Sequence, residues 1–159
     1  MREAFMAEAL ALAREAAAEG EVPVGCVVVH RGAVIGRGRN RREALGSAAA
    51  HAEMEAIAQA NAALGSWRLE DCELYVTLEP CPMCAGAVLN SRLGRVWYGA
   101  ADPAFGACGG VLNLFMEDFP HHPAVTGGVM EAECRAVLSD FFASVRQARR
   151  ERERSGEDE

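Results

Sequence analysis

The sequence predicts an α/β fold in three layers, α/β/α, with a mostly parallel five-stranded sheet and helices on both faces. Three observations carry this. Val22 to Val29 is almost continuously apolar and rich in valine, as a central strand covered on both faces must be. Cys72 to Thr77, Pro82 to Ser91 and Arg95 to Ala100 read as strand, helix and strand, an order that implies a parallel pair. Amphipathic helical patterns stand at both ends of the chain.

From the N-terminus, Phe5, Ala9, Leu12, Ala13 and Ala16 recur at helical spacing over Met1 to Ala18, and Gly20 ends the helix. After the Val22 strand, Arg31-Gly32 marks a tight turn into a second strand, Ala33 to Arg39. Asn40 to Ser47 reads as loop and His51 to Ala63 as helix, with Met54, Ile57 and Ala58 on one face. Beyond Ala100 come a loop over Asp102 to Gly110, a short helix near Val111 to Met116 and a fifth strand over Pro123 to Val129. Cys134, Val137, Leu138, Phe141, Phe142 and Val145 then form a helical apolar stripe expected to enter the core. Residues 1–149 are expected to make one domain, and 150–159 a charged tail that frays.

Composition narrows the chemistry. The 159 residues are 50% apolar, which suits one compact domain. No apolar run approaches membrane-spanning length and no signal pattern opens the chain, so a cytoplasmic protein with no membrane partner is expected. The 16 basic residues are all arginine, which excludes a Schiff-base lysine and a phosphate-loop lysine. Net charge is −7, so a polyanion would need a local patch. Arg37, Arg39, Arg41 and Arg42 form one candidate, and Arg146, Arg149 and Arg150 another. Either is equally a solvated face; a polyanion bound at the first predicts steep salt dependence.

The residues that decide the chemistry are His51-Ala52-Glu53 and Pro80-Cys81-Pro82-Met83-Cys84. One imidazole and two thiolates are zinc ligands of the right softness, and three ligands leave a tetrahedral ion one open position. Cys81 and Cys84 share a helix face, with Pro82 at the first helical position and Cys81 as its cap. The helix N-terminus favours their thiolate forms. Glu53 separates an enzyme from a structural zinc module. It is expected to serve as the catalytic base, taking a proton from water at the open position. It can converge with His51 only at the first turn of the helix. Cys26, Cys72 and Cys134 read as small core residues, whereas Cys108 lies in a glycine-rich loop that could approach the metal.

With these motifs the chain resembles the cytidine-deaminase-like superfamily, and within it the bacterial tRNA-specific adenosine deaminases. The narrower resemblance lies in Glu21-Val22-Pro23-Val24-Gly25, Ala50 to Met54, Leu64 to Leu69, Leu74 to Arg95, and Leu138-Ser139-Asp140-Phe141-Phe142. It implies a cytidine-deaminase-like fold, one Zn2+ per subunit, a homodimer, and conversion of adenosine to inosine at the wobble position of a tRNA anticodon stem-loop. It also implies a substrate-binding set of Asn40, Ala52, Asp102, His121, Phe142 and Arg146. Asn40 would bond the flipped base, Asp102 a neighbouring ribose, and Phe142 and Arg146 the anticodon loop. Asn40 could equally be a turn residue, and Phe142 a member of the core stripe. Two departures fall on RNA contacts: Ala104 stands where the family often has lysine, and Pro120-His121-His122-Pro123 stiffens the loop around His121. The alternative is a deaminase of free nucleobases or nucleosides, of the guanine or cytosine type.

Overall fold

The computed structural model describes residues 1–156. Helix α1 (Arg2–Ala18) leads into β1 (Gly25–His30) and β2 (Ala33–Arg39), then the short α2 (Arg42–Leu45) and α3 (Ala52–Leu64). Strand β3 (Cys72–Leu78), α4 (Pro82–Ser91) and β4 (Arg95–Ala100) follow, then a 3-10 turn at Leu114–Met116, β5 (Ala124–Thr126) and α5 (Glu131–Ser155). Among the described residues, no helix is long and apolar enough to cross a membrane.

The sheet order is β2-β1-β3-β4-β5. Strand β1 runs antiparallel to both β2 and β3, whereas β3 with β4 and β4 with β5 are parallel. The α/β class therefore holds, but the sheet is evenly mixed by pairing rather than mostly parallel. One antiparallel pair is local in origin: Arg31 (φ 50°) and Gly32 (φ 80°) both take left-handed geometry, so the chain reverses in two residues; the other follows from β3 pairing beside β1 across the fold.

Each sheet face has its own core. Cys26, Val28, Leu74, Val76 and Val96 meet α3 and α4 on one side. Val27, Val29, Tyr75 and Trp97 meet Met6, Ala9 and Leu10 of α1 and Cys134 of α5 on the other. Tyr75 and Trp97 stack with centroids 5.9 Å apart, and the Arg95 guanidinium lies 4.1 Å from the Trp97 ring centre. On β2, Gly36 and Gly38 leave no room for a Cβ, which would strike the carbonyls of Ala56 and Ala52. This close approach seats α3 directly on the strand and fixes the height of its N-terminus.

Two expectations shift. Helix α5 continues as far as Ser155, through the segment read as a fraying tail; positions 157–159 lie outside the described residues. Its apolar stripe is fully buried only at Cys134, with Val137 packed against the same core, while Phe142 and Val145 are exposed. The helix packs against β4 and α1, and from Phe142 onward its described residues are exposed.

Candidate active site

The C-terminal ends of β3 and β4 open onto a cavity of about 650 Å³. Two helices present their N-termini there. His51 is the N-cap of α3, in extended conformation, with Ala52 and Glu53 as the first two helical residues. Cys81 is the N-cap of α4, Pro82 begins the helix, and Cys84 lies in its first turn. Both termini bring positive dipole ends to one point, where anionic ligands and a carboxylate are favoured.

His51 Nδ1 lies 3.6 Å from Cys81 Sγ and 3.5 Å from Cys84 Sγ. A tetrahedral zinc, with roughly 2.3 Å to sulfur and roughly 2.0 Å to nitrogen, places those atoms about 3.5 Å apart. The donor set therefore fits zinc in both chemistry and spacing. Among the described residues these three alone form such a cluster, so Cys108 is not a fourth ligand.

The ionisation states suit this role. The Cys84 thiol donates to Cys81, and together with His51 it lowers Cys81 to about 4. That bond, burial and the nearby Glu53 raise Cys84 in turn. Hydrogen bonding to Cys81 raises His51. Glu53 is only 4% exposed, and burial pushes its carboxyl up to about 7 against the opposing effect of the Cys84 thiol beside it. A carboxyl poised near neutrality can both take and return a proton.

The cavity also brings together Asn40, Ala52, Asp102 and Phe142 from the sequence-derived set. Asn40 is buried; its amide donates to the Val22 carbonyl (3.1 Å) and its Oδ1 accepts the Arg42 N–H (3.3 Å). Asp102 Oδ1 accepts the N–H groups of Ala104 (3.0 Å) and Phe105 (3.2 Å), closing a tight turn. Arg146 lies one helical turn beyond Phe142 and does not line the cavity. His121 stands elsewhere: its Nε2 is 2.7 Å from the Leu93 carbonyl, which precedes β4, whereas the cavity lies beyond the other end of that strand. A single chain does not bring His121 to the site.

Sequence reasoning assigned no role to two buried carboxylates. Glu79, 3% exposed, accepts the backbone N–H groups of Asp102 (3.1 Å), Cys108 (3.0 Å) and Gly110 (2.9 Å). It ties the loop after β4 to the strand end that carries Cys81. Glu21 accepts the N–H of Glu43 (2.8 Å) and caps α2, which fixes the opposite wall. The available signal was an acid at the end of an apolar strand, directly before Pro80-Cys81.

The arginine segment also differs from a free cationic patch. Arg37 pairs with Glu8 (3.8 Å), Arg39 with Glu19 (2.8 Å) and Glu15 (3.7 Å), and Arg41 with Glu55 (3.3 Å). Only Arg42 of the four faces the cavity.

Comparison with known proteins agrees with this geometry. Residues 1–100 match the cytidine and deoxycytidylate deaminase zinc-binding region. The chain is 49% identical to the tRNA-specific adenosine deaminase of Bacillus subtilis over 93% of its own length and 92% of the relative's. A solved tRNA:A34 deaminase, described for A-to-I editing at the wobble position, superimposes with a TM-score of 0.81 at 45% identity, covering 84% of this chain and 98% of that one. Guanine deaminase from Nitrosomonas europaea follows with a TM-score of 0.79 at 29% identity, covering 89% and 84%. With a donor set spaced for zinc, a buried carboxyl beside it and likeness along nearly its whole length, this chain belongs to the tRNA-specific adenosine deaminase family of zinc-binding deaminases.

Proposed function

We propose that the chain converts adenosine to inosine at the wobble position of a tRNA anticodon, by hydrolysis that releases ammonia. The observation that carries the chemistry is Glu53, buried against the Cys84 thiol and lining the same cavity as His51 and Cys81. Zinc held by His51, Cys81 and Cys84 would supply Lewis-acid activation of water. Glu53 carries a proton from the attacking water to the adenine ring nitrogen as the water oxygen bonds C6, then passes the remaining hydroxyl proton to the amino group, so that the C6–N bond breaks and ammonia leaves. Asn40 and Ala52 face the base, Asp102 faces a ribose, and Phe142 with Arg146 meets the anticodon loop. Similarity to relatives that bear this activity by name supports the substrate assignment.

The same reading takes residues 1–149 as one catalytic domain, working in the cytoplasm as a homodimer. Exposed Val111, Leu112, Met116 and Phe119 offer an apolar surface for pairing. A free-base deaminase is the second reading, favoured by the pairing of Arg37, Arg39 and Arg41 with acids and by the likeness to guanine deaminase. Incubating the protein with an anticodon stem-loop, and separately with guanine, cytosine and adenosine, decides between them. Inosine in the RNA is the expected product; ammonia from free bases alone would overturn the proposal.

A further inference from the structure

We propose that Phe105 adds a stacking face beside Phe142 for unpaired bases next to the target, and that stacking rather than phosphate pairing supplies most of the affinity for RNA. This rests on the reading of the chain as an RNA deaminase. The charges facing the cavity oppose a phosphate-driven mode: Arg42 is the single cation against Glu53, Glu79 and Asp102. The neighbouring Arg37, Arg39 and Arg41 are already engaged by acids.

What the rim lacks in cations it has in aromatic surface. Phe105 is 69% exposed, the most exposed aromatic residue among those described, and it lines the mouth together with Met83 and Phe142. It is not a loose side chain on a loose loop. Its N–H is held by Asp102 Oδ1 (3.2 Å), Gly106 N–H by the Asp102 carbonyl (2.9 Å), and Asp102 N–H by Glu79 (3.1 Å). Phe142 is braced edge-on by Phe141, with ring centres 5.5 Å apart at 70°. A prearranged aromatic face binds bases at little ordering cost, and each stacked base adds roughly ten-fold or more in affinity. Two such faces at one mouth serve a substrate with several bases, not a single free one.

The test uses zinc-loaded Glu53→Ala protein, which cannot turn over, and an anticodon stem-loop followed by fluorescence anisotropy. Phe105→Ala should weaken binding about ten-fold, and Phe105→Trp should restore it. Affinity should fall less than about ten-fold between roughly 50 and 200 mM salt, because few counterions are released. Binding by Phe105→Ala within about two-fold of its parent, or a loss beyond about a hundred-fold across that salt range, would overturn the rim. So would a change of oligomeric mass in Phe105→Ala on sedimentation, which would assign the ring to a protein contact. Wild-type protein that forms no inosine in the stem-loop removes the functional reading itself; one that does, beside an unaffected Phe105→Ala, removes only this inference.

Discussion

Glu79 holds Asp102 in place: its Oε1 accepts the Asp102 N–H at 3.1 Å, while its other oxygen takes Cys108 and Gly110 at 3.0 and 2.9 Å. Glutamine has one acceptor oxygen and one amide donor, so it cannot satisfy all three N–H groups. Glu79→Gln should destabilise the protein by about 3 kcal/mol, measured by urea denaturation. It should also raise KM for an anticodon stem-loop more than it lowers kcat. An unchanged KM would show that the wall does not depend on this carboxylate.

Glu53→Ala should retain zinc and lose turnover by roughly a factor of a hundred to ten thousand, as expected when a positioned acid–base group is removed. Cys81→Ala should lose the metal itself. Metal analysis beside inosine formation separates the two, and normal turnover by Glu53→Ala would refute its assignment as base.

Zinc affinity should fall as pH falls, because ligation displaces protons. Cys81, lowered to about 4, is already a thiolate at neutral pH, whereas Cys84 is raised and must give up its proton. Above the His51 titration one proton leaves, so affinity should rise about ten-fold per pH unit. On the acid side of the His51 titration, itself raised by its bond to Cys81, a second proton competes and the slope steepens. Equilibrium competition with a chelator of known affinity reads this slope; a flat profile would contradict the ionisation states described.

Gly38→Ala should cost about 2 kcal/mol, because the added methyl meets the Ala52 carbonyl and forces the helix away from the strand. The displaced residues are neighbours of His51 and Glu53, so turnover should fall along with thermal stability. A stable, fully active variant would show that this contact can relax.

Arg39→Ala should lower stability by no more than about 1 kcal/mol, given an exposed partner in Glu19, and leave RNA affinity within about two-fold. Stability by denaturation and affinity by anisotropy test both halves. A large loss of RNA affinity would return Arg39 to the binding surface.

Much of the fold was legible because its signals are local. The limits of α4 and β4 follow from Pro82, the Ser91-Arg92 end and a short apolar run, and β2 from the Arg31-Gly32 turn. The metal site was legible for the same reason: cap positions and a C-x-x-C spacing fix side-chain directions without tertiary knowledge. What escaped was set by pairing across the fold. The sheet's mixed sense depends on which strands neighbour β1, and the exposure of α5 from Phe142 onward on what packs against it. The arginines at 37, 39 and 41 look free in a linear reading, since Glu8, Glu15, Glu19 and Glu55 reach them from other elements. Glu79 looked unremarkable for the opposite reason: its partners are backbone groups, which sequence does not distinguish.

The single carboxylate that fastens residues 102 to 110 has an evolutionary corollary. Ligands and proton carrier ride on helices α3 and α4, whereas one wall of the substrate chamber hangs from Glu79 by main-chain atoms alone. Because amide groups are common to nearly every residue type, that wall can exchange side chains at positions such as 104 and 105, whereas Gly106 and Gly110, where a Cβ would meet Glu79 or the Asp102 carbonyl, must stay with the anchor. Selection for a new nucleic-acid target can therefore act on the wall without disturbing the reaction performed behind it.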